Sequence, residues 1–95
     1  GKKKGTYIDF DALPPNTQLR TRQSSDRIHP LGAPGSMTLK KFFINKKIPQ
    51  DERARLPLLA CGHEILAVFG ITVSERAKVT ERSQKILYIF EGEDT

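Results

Sequence analysis

The sequence predicts an α+β fold: a small layered domain with a mainly antiparallel β-sheet and one or two short helices in its middle. Two observations carry the prediction. Apolar and polar residues alternate with a period of two in the N-terminal part, a spacing of three and four begins at Thr38, and apolar strand candidates follow from Leu58. The regular alternation of strand and helix that builds parallel sheets is missing. No internal repeat or sustained heptad is present.

In chain order, Tyr7, Ile8, Asp9, Phe10 and Asp11 alternate as a half-buried strand, and Pro14-Pro15-Asn16 turns it. Residues 19–23 keep the same period, which sends Arg20 and Arg22 to one face, away from Leu19. Residues 26–29 form a short extension stopped by Pro30, and 31–36 are a loop of turn formers. From Thr38, a side chain suited to an N-cap, Leu39, Phe42 and Phe43 fall at i, i+3 and i+4 of an amphipathic helix that ends near Asn45. Pro49 opens a second helical turn over 50–55, acids first and arginines last, as the helix dipole favours. Apolar runs at 58–61 and 64–69 flank Gly62-His63 as a tight hairpin, and 71–73, 78–80 and 85–90 are further strands.

A chain of 95 residues accommodates one domain with a modest core and no large cleft between lobes. Hydrophobic residues at 37% and charged ones at 28% lie in the globular range, so a fold is expected. Residues 6–90 are read as that domain, 1–5 as a disordered basic tail or expression remnant, and 91–95 as a loose acidic tail. A start at glycine is expected of an excised fragment. One cysteine, Cys61, excludes an internal disulfide and suits a reducing cytoplasm. The longest apolar stretch is far below the roughly 20 residues that span a bilayer, and Lys2 to Lys4 precede no signal-peptide core.

Sixteen Lys and Arg against eleven Asp and Glu leave a formal charge of +5, and the excess is larger outside the C-terminal acids Glu91, Glu93 and Asp94. Such a balance favours a polyanion, RNA or DNA before an anionic membrane. Catalytic constellations are incomplete. Cys61, His63 and Glu64 lie close together, but zinc needs about four ligands and only His29 remains as a nitrogen donor, so a hairpin turn explains them better. Cys61 with His63 as nucleophile and base lacks an orienting third group. Residues 32–35 match neither a P-loop nor a dinucleotide fingerprint. No catalytic residue, metal or cofactor is assigned.

Lys40 and Lys41 stand in the first helical turn, where the dipole disfavours cations, so a phosphate site over 36–41 is one reading and a solvated lysine pair the other. Lys46, Lys47, Arg53 and Arg55 extend the patch, partly offset by Asp51 and Glu52. With few aromatics outside the core elements, backbone contacts to a structured stem fit better than stacking on unpaired bases.

Leu19-Arg20-Thr21-Arg22-Gln23-Ser24-Ser25-Asp26-Arg27-Ile28-His29-Pro30-Leu31-Gly32, then Leu39-Lys40-Lys41-Phe42-Phe43-Ile44 and Lys47-Ile48-Pro49, resemble the C-terminal domain of tRNA(Ile)-lysidine synthetases. Arg53, Leu56-Pro57-Leu58-Leu59, Gly70 and Lys78-Val79-Thr80 follow in the same order, so the resemblance covers 7–90. Ser25 departs from it, standing where the family usually has glycine; a positive φ there would be strained. The resemblance implies a small α/β domain with a layered sheet. It implies a parent ligase that uses ATP and lysine, handled by an N-terminal domain, to convert the wobble cytidine of tRNA(Ile) to lysidine. This domain would help hold that tRNA at its acceptor-stem region, with Arg20, Arg22, Arg27, Lys40, Lys41, Lys47 and Arg53 on phosphates and Asp26 orienting Arg27. The implied partners are tRNA(Ile) and the parent's other domains, with a possible homodimer.

Overall fold

The computed structural model describes residues 5–90. Strands β1 (Gly5–Asp9), β2 (Gln18–Arg20), β3 (Arg27–Ile28) and β4 (Met37–Thr38) precede helices α1 (Leu39–Asn45) and α2 (Gln50–Arg53). Strands β5 (Leu58–Cys61), β6 (Glu64–Val68), β7 (Thr72–Val73) and β8 (Ile86–Phe90) follow. The predicted α+β class with a mainly antiparallel sheet is the fold found. One sheet has the order β2-β5-β6-β3-β4, with β7 also on β6, and β1 pairs with β8 as a separate ribbon. Only the β3–β6 pairing is parallel among the described strands.

Helix α1 follows the spacing of its apolar residues: Leu39, Phe42 and Phe43 are all buried. Thr38 caps it by accepting the Lys41 N–H at 3.1 Å. At its other end the Lys47 N–H donates to the Ile44 carbonyl and the Ile48 N–H to the Phe43 carbonyl, both at 3.0 Å. This pair of bonds needs the intervening residue in the left-handed region, and Lys47 occupies it at φ 58° where glycine is usual. Pro49 then opens α2, with Asp51 and Glu52 in the first turn and Arg53 in the last.

Strands β5 and β6 form the hairpin read from the sequence, joined by Gly62 and His63, with Gly62 at φ 60°. Their register shifts between Leu59 and Ala60, so Leu59 faces Ala67 while Ala60 faces Ile65. Leu66 is thus the extra residue of a β-bulge. The bulge breaks the alternation of faces: Ile65 and Val68 join the core beneath α1, while Leu66 and Ala67 both join the core beneath the β1–β8 ribbon. The sheet therefore lies between a helical layer and a ribbon layer, and residues 65–68 of β6 are excluded from water on both sides.

Several sequence expectations shift by local competition. The first strand stops at Asp9 because its carboxylate accepts the Asp11 N–H at 3.0 Å and starts a 3-10 turn over Phe10–Ala12. The strand expected over 19–23 ends at Arg20; Leu19 and Arg20 do take opposite sides, with Leu19 exposed and Arg20 turned inward. Residues 78–80 are not a strand. Ser74 caps a 3-10 turn at Glu75–Ala77, and Lys78 bonds back to Glu75 at 2.7 Å. Gly5 belongs to β1, where an added Cβ would overlap the Tyr88 ring. Of the tails expected at 1–5 and 91–95, Gly5 is thus part of a strand, and residues 1–4 and 91–95 lie outside the described residues.

The 23–26 turn closes through the Asp26 N–H and the Gln23 carbonyl at 3.4 Å and holds Ser25 at φ 71°. The strain expected of a serine there is present. Ser25→Gly is expected to raise stability by about 0.5–1 kcal/mol, read as a higher urea midpoint with an unchanged slope. Phe43→Ala, at a fully buried position, is expected to cost about 3–5 kcal/mol of a total near 5–15 kcal/mol, visible in the same measurement.

Candidate nucleic-acid interface

The inward turn of Arg20 has a cause. Asp26 is buried, its side chain 1% exposed, and a carboxylate withdrawn from water needs a matched cation and hydrogen-bond donors. Arg20 supplies both, with its two terminal nitrogens on the two carboxylate oxygens at 2.9 and 3.0 Å. The Gln23 N–H adds a bond of 2.8 Å, and His63 Nδ1 stands 3.0 Å from Oδ1. Burial pushes the Asp26 carboxyl up, but these bonds outweigh it and hold it below the usual carboxylate range. The Arg20 guanidinium is correspondingly raised, chiefly by its bond to Asp26. Arg20 also donates to the carbonyls of Thr21 and Gly62, both at 2.8 Å. The expected Asp26–Arg27 pair is therefore corrected: Arg20 is the partner of Asp26, and Arg27 reaches the Ser36 hydroxyl at 3.3 Å.

Beside this cluster runs an open groove of about 870 Å³. One wall is residues 22–26; the other is Thr38, Leu39, Lys40 and Phe43, with Gln50 and Arg53 of α2 closing one side. Of the seven cations singled out in the sequence, the groove brings together Arg22, Lys40 and Arg53. Arg53 is held there by its Nε–H bond to the Ile48 carbonyl at 2.6 Å. The neutral donors Gln23, Ser24, Ser25 and Gln50 line the groove as well; in the sequence Ser25 stands out only for its backbone and none of the four as a contact, because nothing in their local pattern marks them so.

Arg20 lies behind the groove, engaged as described. Arg27 is exposed on β3 between Thr38 and Glu64, and Lys41 and Lys47 are exposed elsewhere on and after α1; none of the three lines the groove. At the helix start the Leu39 N–H goes to the Asp26 carbonyl at 2.9 Å and the Lys41 N–H to the Thr38 hydroxyl at 3.1 Å. Cys61 contacts the Asn16 amide oxygen at 3.3 Å, not His63. Among the described residues no three His, Cys, Asp or Glu side chains are grouped to hold a metal ion, and no helix is long and apolar enough to cross a membrane.

A second surface emerges on the ribbon. Cross-strand pairing sets Tyr7 opposite Tyr88, with ring centroids 4.5 Å apart, and Phe90 stacks on Tyr88 at 5.4 Å. Tyr7, Tyr88, Phe90 and Ile86 are all exposed, so aromatics that look scattered in the sequence form one apolar face.

The family model for the TilS substrate C-terminal domain matches residues 17–89. The chain is 43% identical over 89 residues to a tRNA(Ile)-lysidine synthase of Caldanaerobacter subterraneus, covering 90% of this chain and 19% of that protein. It is 42% identical over 88 residues to the tRNA(Ile)-lysidine synthase of Clostridium perfringens, covering 92% and 19%. It thus spans about a fifth of the length of these curated relatives. A crystal structure of a TilS C-terminal domain superposes with a TM-score of 0.74 at 29% identity, covering 97% of this chain and 72% of that one.

The depressed Asp26 carboxyl links the groove to acid stability. Its contribution is complete above the ordinary value of 3.8 and is lost as pH falls through the lower native value. Asp26→Asn, which leaves Arg20 unmatched, is expected to cost about 3–5 kcal/mol at neutral pH. The gap to the parent chain should narrow progressively below about pH 4, as urea midpoints at several pH values will show.

Proposed function

The chain belongs to the family of TilS substrate C-terminal domains, and on that premise we propose that it grips tRNA(Ile) for a longer tRNA(Ile)-lysidine synthase. The observation that carries this reading is the groove in which three separate segments present Arg22, Lys40 and Arg53 among neutral hydrogen-bond donors. Cations distributed in this way suit phosphodiester oxygens of a structured stem, the acceptor-stem region of the tRNA, with the neutral donors on phosphates and sugars. Arg27, Lys41 and Lys47 are outlying contacts, and Arg20 supports the groove from within. The ligation of lysine to the wobble cytidine with ATP takes place elsewhere in the longer protein, and this domain contributes binding alone.

A second reading, a packing module against other domains or a second copy, is favoured by the aromatic face of the ribbon. The two are separable by hydrogen exchange on the longer protein: packing protects β1 and β8 whether or not tRNA is bound, and RNA binding protects residues 21–26 and 38–41 only with it.

The RNA-binding reading is tested by fluorescence anisotropy of a tRNA(Ile) transcript titrated with the chain at several salt concentrations. Affinity is expected to fall as salt rises, and Arg22→Ala or Lys40→Ala each to lower the log–log slope by about 1, uniformly across RNA sequences. Absence of salt-dependent binding would overturn the reading. Lys47→Gly relieves a left-handed residue and removes a cation, so it should gain about 0.5–1 kcal/mol in stability while weakening RNA binding. Opposite signs in the two measurements distinguish it from a general loss of fold.

A further inference from the structure

A carboxylate in the wall of a phosphate-binding groove opposes its ligand unless something else requires it, and Asp26 stands in that wall. We propose that Asp26, through its ion pair with Arg20, is the positioning residue that sets both cationic walls of the groove; the proposal rests on the RNA-gripping reading. Asp26 Oδ2 takes the Gln23 N–H at 2.8 Å and the Asp26 N–H reaches the Gln23 carbonyl at 3.4 Å, which fixes the turn that follows Arg22. The Asp26 carbonyl takes the Leu39 N–H at 2.9 Å, which fixes the start of α1 one residue before Lys40. Arg20 and His63 tie the carboxylate to the β5–β6 turn through Gly62, so both walls hang from the middle of the sheet. The negative charge is itself matched at 2.9 and 3.0 Å by Arg20 and almost wholly shielded from the groove.

Coulomb's law and positioning give opposite signs. Removing a carboxylate from a polyanion site by itself strengthens binding, and Asp51→Asn, at an exposed acid outside the groove lining, provides that baseline. Anisotropy titrations of the 95-residue chain with a tRNA(Ile) transcript, at several salt concentrations, compare the parent, Asp51→Asn, Asp26→Asn and Arg20→Lys. Circular dichroism confirms that each variant is folded at the assay temperature. Asp26→Asn is expected to weaken binding about tenfold and lower the salt slope by about 1–2, as Arg22 and Lys40 lose their register. Arg20→Lys keeps the net charge but cannot make the two-pronged contact, and it should change affinity and slope in the same direction. It decides the matter where Asp26→Asn does not fold. A folded variant of either kind that binds as tightly as the parent, with the same slope, overturns the positioning role and leaves the RNA-gripping reading standing. A parent chain without salt-dependent binding overturns that reading and the positioning role together.

Discussion

Ile65, Leu66, Ala67 and Val68 of β6 are all fully buried, and a strand in that condition must be covered on both faces. Everything else in the fold answers this constraint. Helix α1 covers one side with Phe42 and Phe43, and the ribbon covers the other with Ile8, Leu87 and Ile89. The bulge at Leu66 shares the apolar residues between the two layers, two to each side, where strict alternation would not place neighbours together. At the start of β6, β3 pairs in parallel and brings Asp26 to the hairpin turn, so the ends of several elements meet at one place.

Electrostatics governs that place. A buried carboxylate is stable only with its charge matched and its oxygens hydrogen-bonded, so Arg20 is drawn inward and Leu19 takes the exposed position. The consequence for the surface is a division of labour among cations. The arginine with the most complete set of partners holds the scaffold, and Arg22, Lys40 and Arg53 line the groove beside it. At two residues in the left-handed region, Ser25 and Lys47, a polar or charged side chain stands where glycine would be less strained.

Elements whose signal is local were legible from the residues alone. The capped start of α1, its three buried apolar positions, its end at Asn45, the Pro49 helical opening and the Gly62-His63 hairpin depend on neighbours within a few residues. The resemblance carried by the ordered landmarks from Leu19 to Thr80 also marked Ser25 as a departure, and its φ of 71° shows why glycine suits that turn. Short strands were legible only in part: 78–80 is not a strand and β4 was not anticipated, while Asp9 and Ser74 each cap a 3-10 turn, where a side chain bonding nearby backbone outcompetes a short ladder.

By itself the sequence determined the fold class, the helical middle, the hairpin, the family it resembles and the cationic character of the surface, because composition and periodicity are properties of residues near one another in the chain. Only the tertiary structure decided which cations meet, that Asp26 pairs with Arg20 and not Arg27, and that Tyr7 and Tyr88 share one apolar face. Those outcomes depend on strand register and on contacts between residues as far apart as Asp26 and His63, where burial of one charge dictates the direction of another. A period of two assigns faces correctly only while no buried carboxylate requires an arginine on the inner one.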